Sequence, residues 1–219
     1  MMMGTHAEMP VHETFRLVTR ALVRTVLSRY ASVLPHEWKF KSTEYGRPVI
    51  DNLDSVAQML SFSISHTDDL VVMAVSCDRA VGVDTEHLHR VVPIDIADRY
   101  FHTSEVSALH AMSAPRRAER LLELWTLKES YIKAQGMGFS IPLDCFGFDL
   151  TNRGQPTLFV NEGVDDAPMR WRFWQMRLSN DHIAALCIER FQHHPLIITT
   201  KRVIPLQTEH LIHVTTLTD

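Results

Sequence analysis

Leu70-Val71-Val72-Met73-Ala74-Val75-Ser76-Cys77-Asp78-Arg79-Ala80-Val81-Gly82-Val83-Asp84-Thr85-Glu86 is a β-branched stretch interrupted once by a polar turn. It reads as a strand from Leu70 to Ser76, a turn at Cys77-Asp78-Arg79 and a strand from Ala80 to Asp84, because apolar runs bounded by turn residues are the hairpin signature. Just before it, Phe62 to Ser65 is a short strand and His66 to Asp69 a polar turn. Successive hairpins predict an antiparallel meander. Asp84 and Glu86 are two apart, so on a strand they point to one face, where paired carboxylates could share a cation.

Upstream, Lys39 to Phe40 and Arg47 to Ile50 flank the turn-like Tyr45-Gly46-Arg47-Pro48, and Asp51-Asn52-Leu53-Asp54 reads as loop. From Thr14 to Tyr30, Phe15, Leu17, Val18, Leu22, Val26 and Tyr30 recur near helical period among Arg16, Arg20, Arg24 and Arg29, an amphipathic helix with a basic edge. Downstream, helices are expected over Ile94 to Tyr100, over Ser104 to Met112 with Ser104 as cap, and over Pro115 to Gln135, stopped by Gly136 and Gly138. Phe146 to Leu150, Thr157 to Val160, Met169 to Leu178 and His182 to Ile188 alternate as strands, and the tail offers candidate strands at Leu196 to Thr200 and Leu211 to Leu217. The class is α/β (α+β). A polar turn feeding an apolar strand occurs from Ser65 and again from Ser179, which fits an internal duplication and fits any hairpin into a buried strand equally well.

The chain has 219 residues, 45% hydrophobic and 22% charged, an ordinary globular composition with room for one or two cores. A net charge of −4 supplies no basic field for nucleic acid. Three cysteines, Cys77, Cys145 and Cys187, are far apart and form no CxxC, which speaks against disulfides and zinc and for a reducing cytoplasm. Met1 to Pro10 lacks the pattern of a signal peptide, and no apolar run approaches the 18 or so residues of a membrane span, so neither export nor a membrane is expected. Thirteen histidines, His193-His194 among them, form no ligand spacing in sequence and read as scattered imidazoles, His66 excepted.

Forty residues past the two acids stands Trp125-Thr126-Leu127-Lys128-Glu129-Ser130-Tyr131-Ile132-Lys133. On a helix Glu129 and Lys133 lie on one side, adding a third carboxylate and an ammonium. Three oxygen ligands suit Mg²⁺, whose shell is usually completed by water and substrate phosphates, so a phosphorylated substrate is implied. Each string alone fits equally a solvated strand end and a surface Glu–Lys pair worth about 0.3–0.5 kcal/mol.

The order of the strings is more specific. Tyr45-Gly46-Arg47-Pro48, Phe62-Ser63-Ile64-Ser65-His66, Gly82-Val83-Asp84-Thr85-Glu86, Phe101-His102-Thr103-Ser104-Glu105, then Trp125 through Lys133 and Gly136-Met137-Gly138 resemble the Sfp-type 4′-phosphopantetheinyl transferases. The likeness runs from about Thr14 to Leu150 and fades by Ile188. It implies the family fold, a pseudo-dimer of two similar halves, each a mainly antiparallel sheet with packed helices, here 1–76 and 77–219, in one monomeric chain. It also implies Mg²⁺-dependent transfer of 4′-phosphopantetheine from coenzyme A to a serine of an acyl or peptidyl carrier protein, with release of adenosine 3′,5′-bisphosphate.

Carried over by position, Asp84, Glu86 and Glu129 would hold Mg²⁺, Glu129 would also accept the serine proton, and Lys133 would pair with the pyrophosphate. Ser65, His66, Arg47 and Arg16 would contact coenzyme A, Arg47 standing where the family usually has Lys. Lys128 and Trp125 read as helix support. Arg90, Arg99, Arg116, Arg117 and Arg120 are candidates for a basic rim, and Leu88 to Phe101 for carrier contact. The departure is at the start: only about a dozen residues precede the first helix, where the family usually has a further strand and basic segment. That departure suggests one rival reading, a catalytically weak carrier-protein or coenzyme A binding module; a second is a metal-dependent phosphodiesterase using the same carboxylates, since cleavage of a pyrophosphate by water needs much the same electrostatics.

Overall fold

The computed structural model describes residues 11–138, 141–151, 155–191 and 195–217; Met1 to Pro10 and His193-His194 lie outside them. In chain order come α1 (Val11–Leu27), β1 (Phe40–Ser42), β2 (Pro48–Ile50), α2 (Ser55–Met59), β3 (Leu60–His66), β4 (Val71–Cys77) and β5 (Val81–His87). There follow α3 (Asp95–Tyr100), α4 (Thr103–His110), α5 (Ala114–Gln135), β6 (Phe146–Asp149), β7 (Thr157–Val160), β8 (Trp171–Arg177), β9 (His182–Glu189), β10 (Lys201–Ile204), β11 (Thr208–Leu211) and β12 (Thr215–Thr216). Every described strand pair is antiparallel, so the α+β class holds: β1–β2, β3–β4, β6–β7 and β10–β11 are hairpins, and β12-β8-β9-β5 is a four-stranded sheet.

The meander ends earlier than its sequence predicts. β3 and β4 form the hairpin, but β5 ladders with β9, from Val81 opposite Ile188 to His87 opposite His182. Burial explains the choice: residues 81–86 are all buried, as are 182–187, whereas β4 is half-exposed over most of its length. A strand covered on both faces gains most beside another apolar strand. β3 still lies beside β5, joined by side chains: Ser63 Oγ accepts from Val83 N at 3.0 Å, and the Arg47 guanidinium donates to Phe62 O and Val81 O, each at 3.2 Å.

Two other boundaries moved, and one short helix appears that the sequence reading does not include. α4 is capped by His102, not Ser104: the ring Nδ1 accepts from Ser104 N at 3.2 Å while Glu105 accepts from His102 N at 3.2 Å. The acid of a capping box sits three residues after the cap, which selects position 102. Asp51 to Asp54 is the loop its sequence predicts, and the single turn α2 follows it, capped by Asp54 accepting from Ala57 N at 2.8 Å. In the tail, residues 196–200 are not a strand; the pairing residues are β10, β11 and the short β12 on the edge of β8, and Ile197 is 87% exposed, so its apolar run reports no buried face.

One core joins α5 (Leu121, Leu124, Leu127, Tyr131) to Phe146, Phe148, Trp171 and Phe173 of the sheets, and a second joins Val23 and Leu27 of α1 to Trp38, Leu60 and Phe62. The helix rests on β5 at Gly82, where a Cβ would sit 1.9 Å from Ser130 O and 2.4 Å from Ala134 N. Only glycine permits that approach. Gly82→Ala is therefore expected to cost about 2 kcal/mol, the middle of the overpacking range, and a urea unfolding curve reads it. Among the described residues no helix is long and apolar enough to cross a membrane.

Candidate active site

Alternation along β5 turns Gly82, Asp84 and Glu86 to the face that α5 covers, and the closeness at Gly82 brings Glu129 and Lys133 against the two acids. Lys133 Nζ meets Asp84 Oδ1 at 2.6 Å, so the ammonium pairs across elements and not with Glu129 one turn away. Ser65 Oγ donates to the same oxygen at 2.7 Å. Glu86 is paired with Arg90, its i,i+4 neighbour. The other oxygen of Asp84, Oδ2, and Glu129 Oε1 are buried without a hydrogen-bond partner.

These acids are ill at ease as anions. Burial pushes the Glu129 carboxyl up to about 7, the Asp84 and Glu86 charges push the same way, and Lys133 opposes. Burial likewise raises Asp84 against the pull of Lys133 and Ser65, and raises Glu86 against Arg90. Leaving a buried charged oxygen unpaired is costly. Two such oxygens in one carboxylate cluster suit a hard divalent cation, and the all-oxygen donor set fits Mg²⁺.

The other residues singled out in sequence are placed unequally. His66 is exposed at the end of β3 with its ring edge-on to Phe15 of α1 at 4.9 Å, and Arg16 follows on an exposed part of that helix. The Ser65 hydroxyl already spends its proton on Asp84, which makes it an orienting group first. Arg47 donates to Lys133 O at 2.7 Å and Ala134 O at 3.3 Å as well as to the two strand carbonyls, so a phosphate contact would compete with four carbonyls. A cavity of about 590 Å³ opens beside Arg47, lined also by Pro48, Phe62, Arg79 and Gly136; none of Asp84, Glu86, Glu129 and Lys133 lines it.

The arginines of the supposed basic rim are engaged within the chain: Arg90 with Glu86, Arg99 with Asp95, Arg116 with Glu119 and Glu123, Arg120 with Glu123, and Arg117 by donating to the carbonyls of Leu109 and Met112. Sequence reasoning missed Arg90 as the partner of a site carboxylate, although its i,i+4 spacing from Glu86 was a signal. Such spacing is ordinarily sought on helices, and here it bridges a strand end and a turn. Lys128 turns away from the site, 1% exposed, with Nζ 2.8 Å from Glu105 and donating to Leu143 O and Phe146 O.

Two family profiles match the chain in tandem: "4′-phosphopantetheinyl transferase, N-terminal" over residues 13–78 and "4′-phosphopantetheinyl transferase superfamily" over 80–187. Among curated proteins, the 4′-phosphopantetheinyl transferase gsp of Aneurinibacillus migulanus is 35% identical over 150 residues, 68% of this chain and 60% of that one. The 4′-phosphopantetheinyl transferase Sfp of Bacillus subtilis (strain 168) is 34% identical over 142 residues, 65% of this chain and 61% of its own. The chain thus spans about three fifths of the length of these relatives. A holo-[acyl-carrier-protein] synthase structure from Thermotoga maritima, 28% identical, covers 50% of this chain and 62% of its own at a TM-score of 0.39.

Proposed function

This chain belongs to the 4′-phosphopantetheinyl transferase superfamily, and on that premise we propose that it transfers 4′-phosphopantetheine from coenzyme A to a serine of an acyl or peptidyl carrier protein and releases adenosine 3′,5′-bisphosphate. The observation that carries this reading is the pair of buried, partnerless oxygens on Asp84 and Glu129 beside the Lys133 ammonium. Asp84, Glu86 and Glu129 would hold Mg²⁺, which when bound supplies charge neutralisation on the pyrophosphate.

The chain's own groups then divide the work. Glu129, a carboxylate of the same site, would accept the serine proton, directly or through one water; its carboxyl near 7 belongs to the cation-free chain, and a bound dication would lower it. Lys133 is a fixed positive charge for the pyrophosphate and the departing bisphosphate. Ser65 holds Asp84 in orientation. His66 and Arg16, neighbours through Phe15, together with Arg47, would bind coenzyme A phosphates. Two halves, 1–76 and 77–219, in a monomeric cytoplasmic chain complete the proposal; the separate apolar clusters and the tandem profile matches on either side of residue 79 support the division.

Intact-mass analysis of an apo carrier protein incubated with this chain, coenzyme A and Mg²⁺ tests the function. The carrier is expected to gain one phosphopantetheine, and EDTA is expected to prevent it. Coenzyme A consumed with no carrier present would favour the phosphodiesterase reading, and coenzyme A bound but never consumed the binding-module reading.

A further inference from the structure

The opposite face of β5 ends in a second cluster. His87 and His182 stand directly across the β5–β9 ladder, and such a pair projects from one face. Their rings meet edge to face, with centroids 4.9 Å apart. Asp69, from the turn between β3 and β4, completes the group, and one ligand atom from each of the three lies within 4.8 Å of the others. His87 follows Glu86 immediately, so strand alternation separates this group from the carboxylate site by the thickness of the sheet.

The surroundings are those of oriented ligands. His182, 6% exposed, has Nε2 3.0 Å from Asp69 Oδ1 and Nδ1 3.0 Å from Ser179 Oγ. As the residues stand, His182 Nε2–H donates to Asp69 Oδ1, with Thr67 Oγ1 a second neighbour at 3.3 Å; a cation would replace that proton, with Nδ1–H then given to Ser179 Oγ, the outer bond that fixes a metal-binding imidazole. Thr67 Oγ1 donates to Asp69 Oδ1 at 2.9 Å and orients the carboxylate. Asp69 is 62% exposed on its side chain, which leaves a way in from solvent.

We propose that Asp69, His87 and His182 form a second metal site, selective for a borderline transition metal such as Zn²⁺, that clasps the β3–β4 turn onto the end of the β5–β9 ladder. Two imidazoles and one carboxylate suit Zn²⁺ and Co²⁺ and disfavour Mg²⁺, with water filling a remaining position. Because the turn follows Ser65 and His66 and the ladder carries Asp84 and Glu86, the clasp ties together the two strand ends that bear the candidate active site.

The test is a Co²⁺ titration of the full chain in excess Mg²⁺, which occupies oxygen-only sites, read by visible absorption, with thermal unfolding in Zn²⁺ against EDTA alongside. One Co²⁺ per chain with visible bands is expected, together with a rise in unfolding temperature in Zn²⁺. His87→Gln and the exposed Asp69→Asn, which spare the buried imidazole, should each weaken Co²⁺ binding at least tenfold and remove the Zn²⁺ effect on unfolding. Absence of a bound Co²⁺ in the wild type, or binding unchanged in both variants, would overturn the proposal. Neither readout depends on transfer activity, so failure here is separable from failure of the proposed function.

Discussion

Glu129→Gln is expected to leave a folded protein in which carrier modification falls at least about 10²–10³-fold, the scale of losing a positioned base. Its buried Oε1 has no partner to lose, and an amide removes a charge crowded by Asp84 and Glu86. Stability should respond to pH in a defined sense. The Glu129 carboxyl is near 7 when folded and near the ordinary 4.5 when unfolded, so the folded state holds its proton more tightly. The stabilisation is complete below pH 4.5, falls as pH rises from 4.5 to 7, and is absent above 7; a shift of this size corresponds to roughly 3 kcal/mol at most. In EDTA, urea unfolding at several pH values should show Glu129→Gln gaining stability over the wild type across that window. Equal pH dependence in the two proteins would remove Glu129 as the strained group.

Lys128→Met is expected to be the most destabilising single change, about 3–5 kcal/mol, because it strands a buried carboxylate. Glu105 is 3% exposed and, besides Lys128, accepts from Phe148 N at 2.9 Å and His102 N at 3.2 Å. The ammonium is bound on three sides by Glu105, Leu143 O and Phe146 O and lies over the rings of Phe101 and Phe146. Burial pulls the Lys128 pKa down while Glu105 pulls it up. Chemical denaturation of the single variant and of Lys128→Met combined with Glu105→Gln would separate the pair from the packing: the second change should restore part of the loss, since it removes the stranded charge. A loss in the double variant equal to the sum of the two singles would mean the residues act independently.

What was legible in the sequence was local. Period-two alternation predicts that Asp84 and Glu86 share a face, and i,i+4 spacing predicts that Glu129 and Lys133 do, because both follow from backbone geometry. The same rules could not say that Lys133 would choose Asp84 over Glu129, since that depends on how closely α5 approaches β5 at Gly82. Nor could they join Val81 to Ile188: hairpin logic assigns β5 to its chain neighbour β4, and only burial of both strands overrules it. Arg47 shows a different blindness. A turn arginine looks available to a ligand, and its four carbonyl acceptors come from residues 15 to 87 positions away. Asp69, His87 and His182 were illegible for the same reason, being brought together by a ladder that sequence spacing does not contain.

The most direct measurement on the central claim, that Asp84, Glu86 and Glu129 make one cation site serving the pyrophosphate of coenzyme A, is titration of Mn²⁺ as an Mg²⁺ substitute, followed by electron paramagnetic resonance with and without coenzyme A. The wild type is expected to bind one Mn²⁺ per chain at this site, more tightly with coenzyme A present, and Asp84→Asn and Glu129→Gln should each weaken that binding at least tenfold. Mn²⁺ held with equal affinity by both variants, or indifferent to coenzyme A, would contradict it.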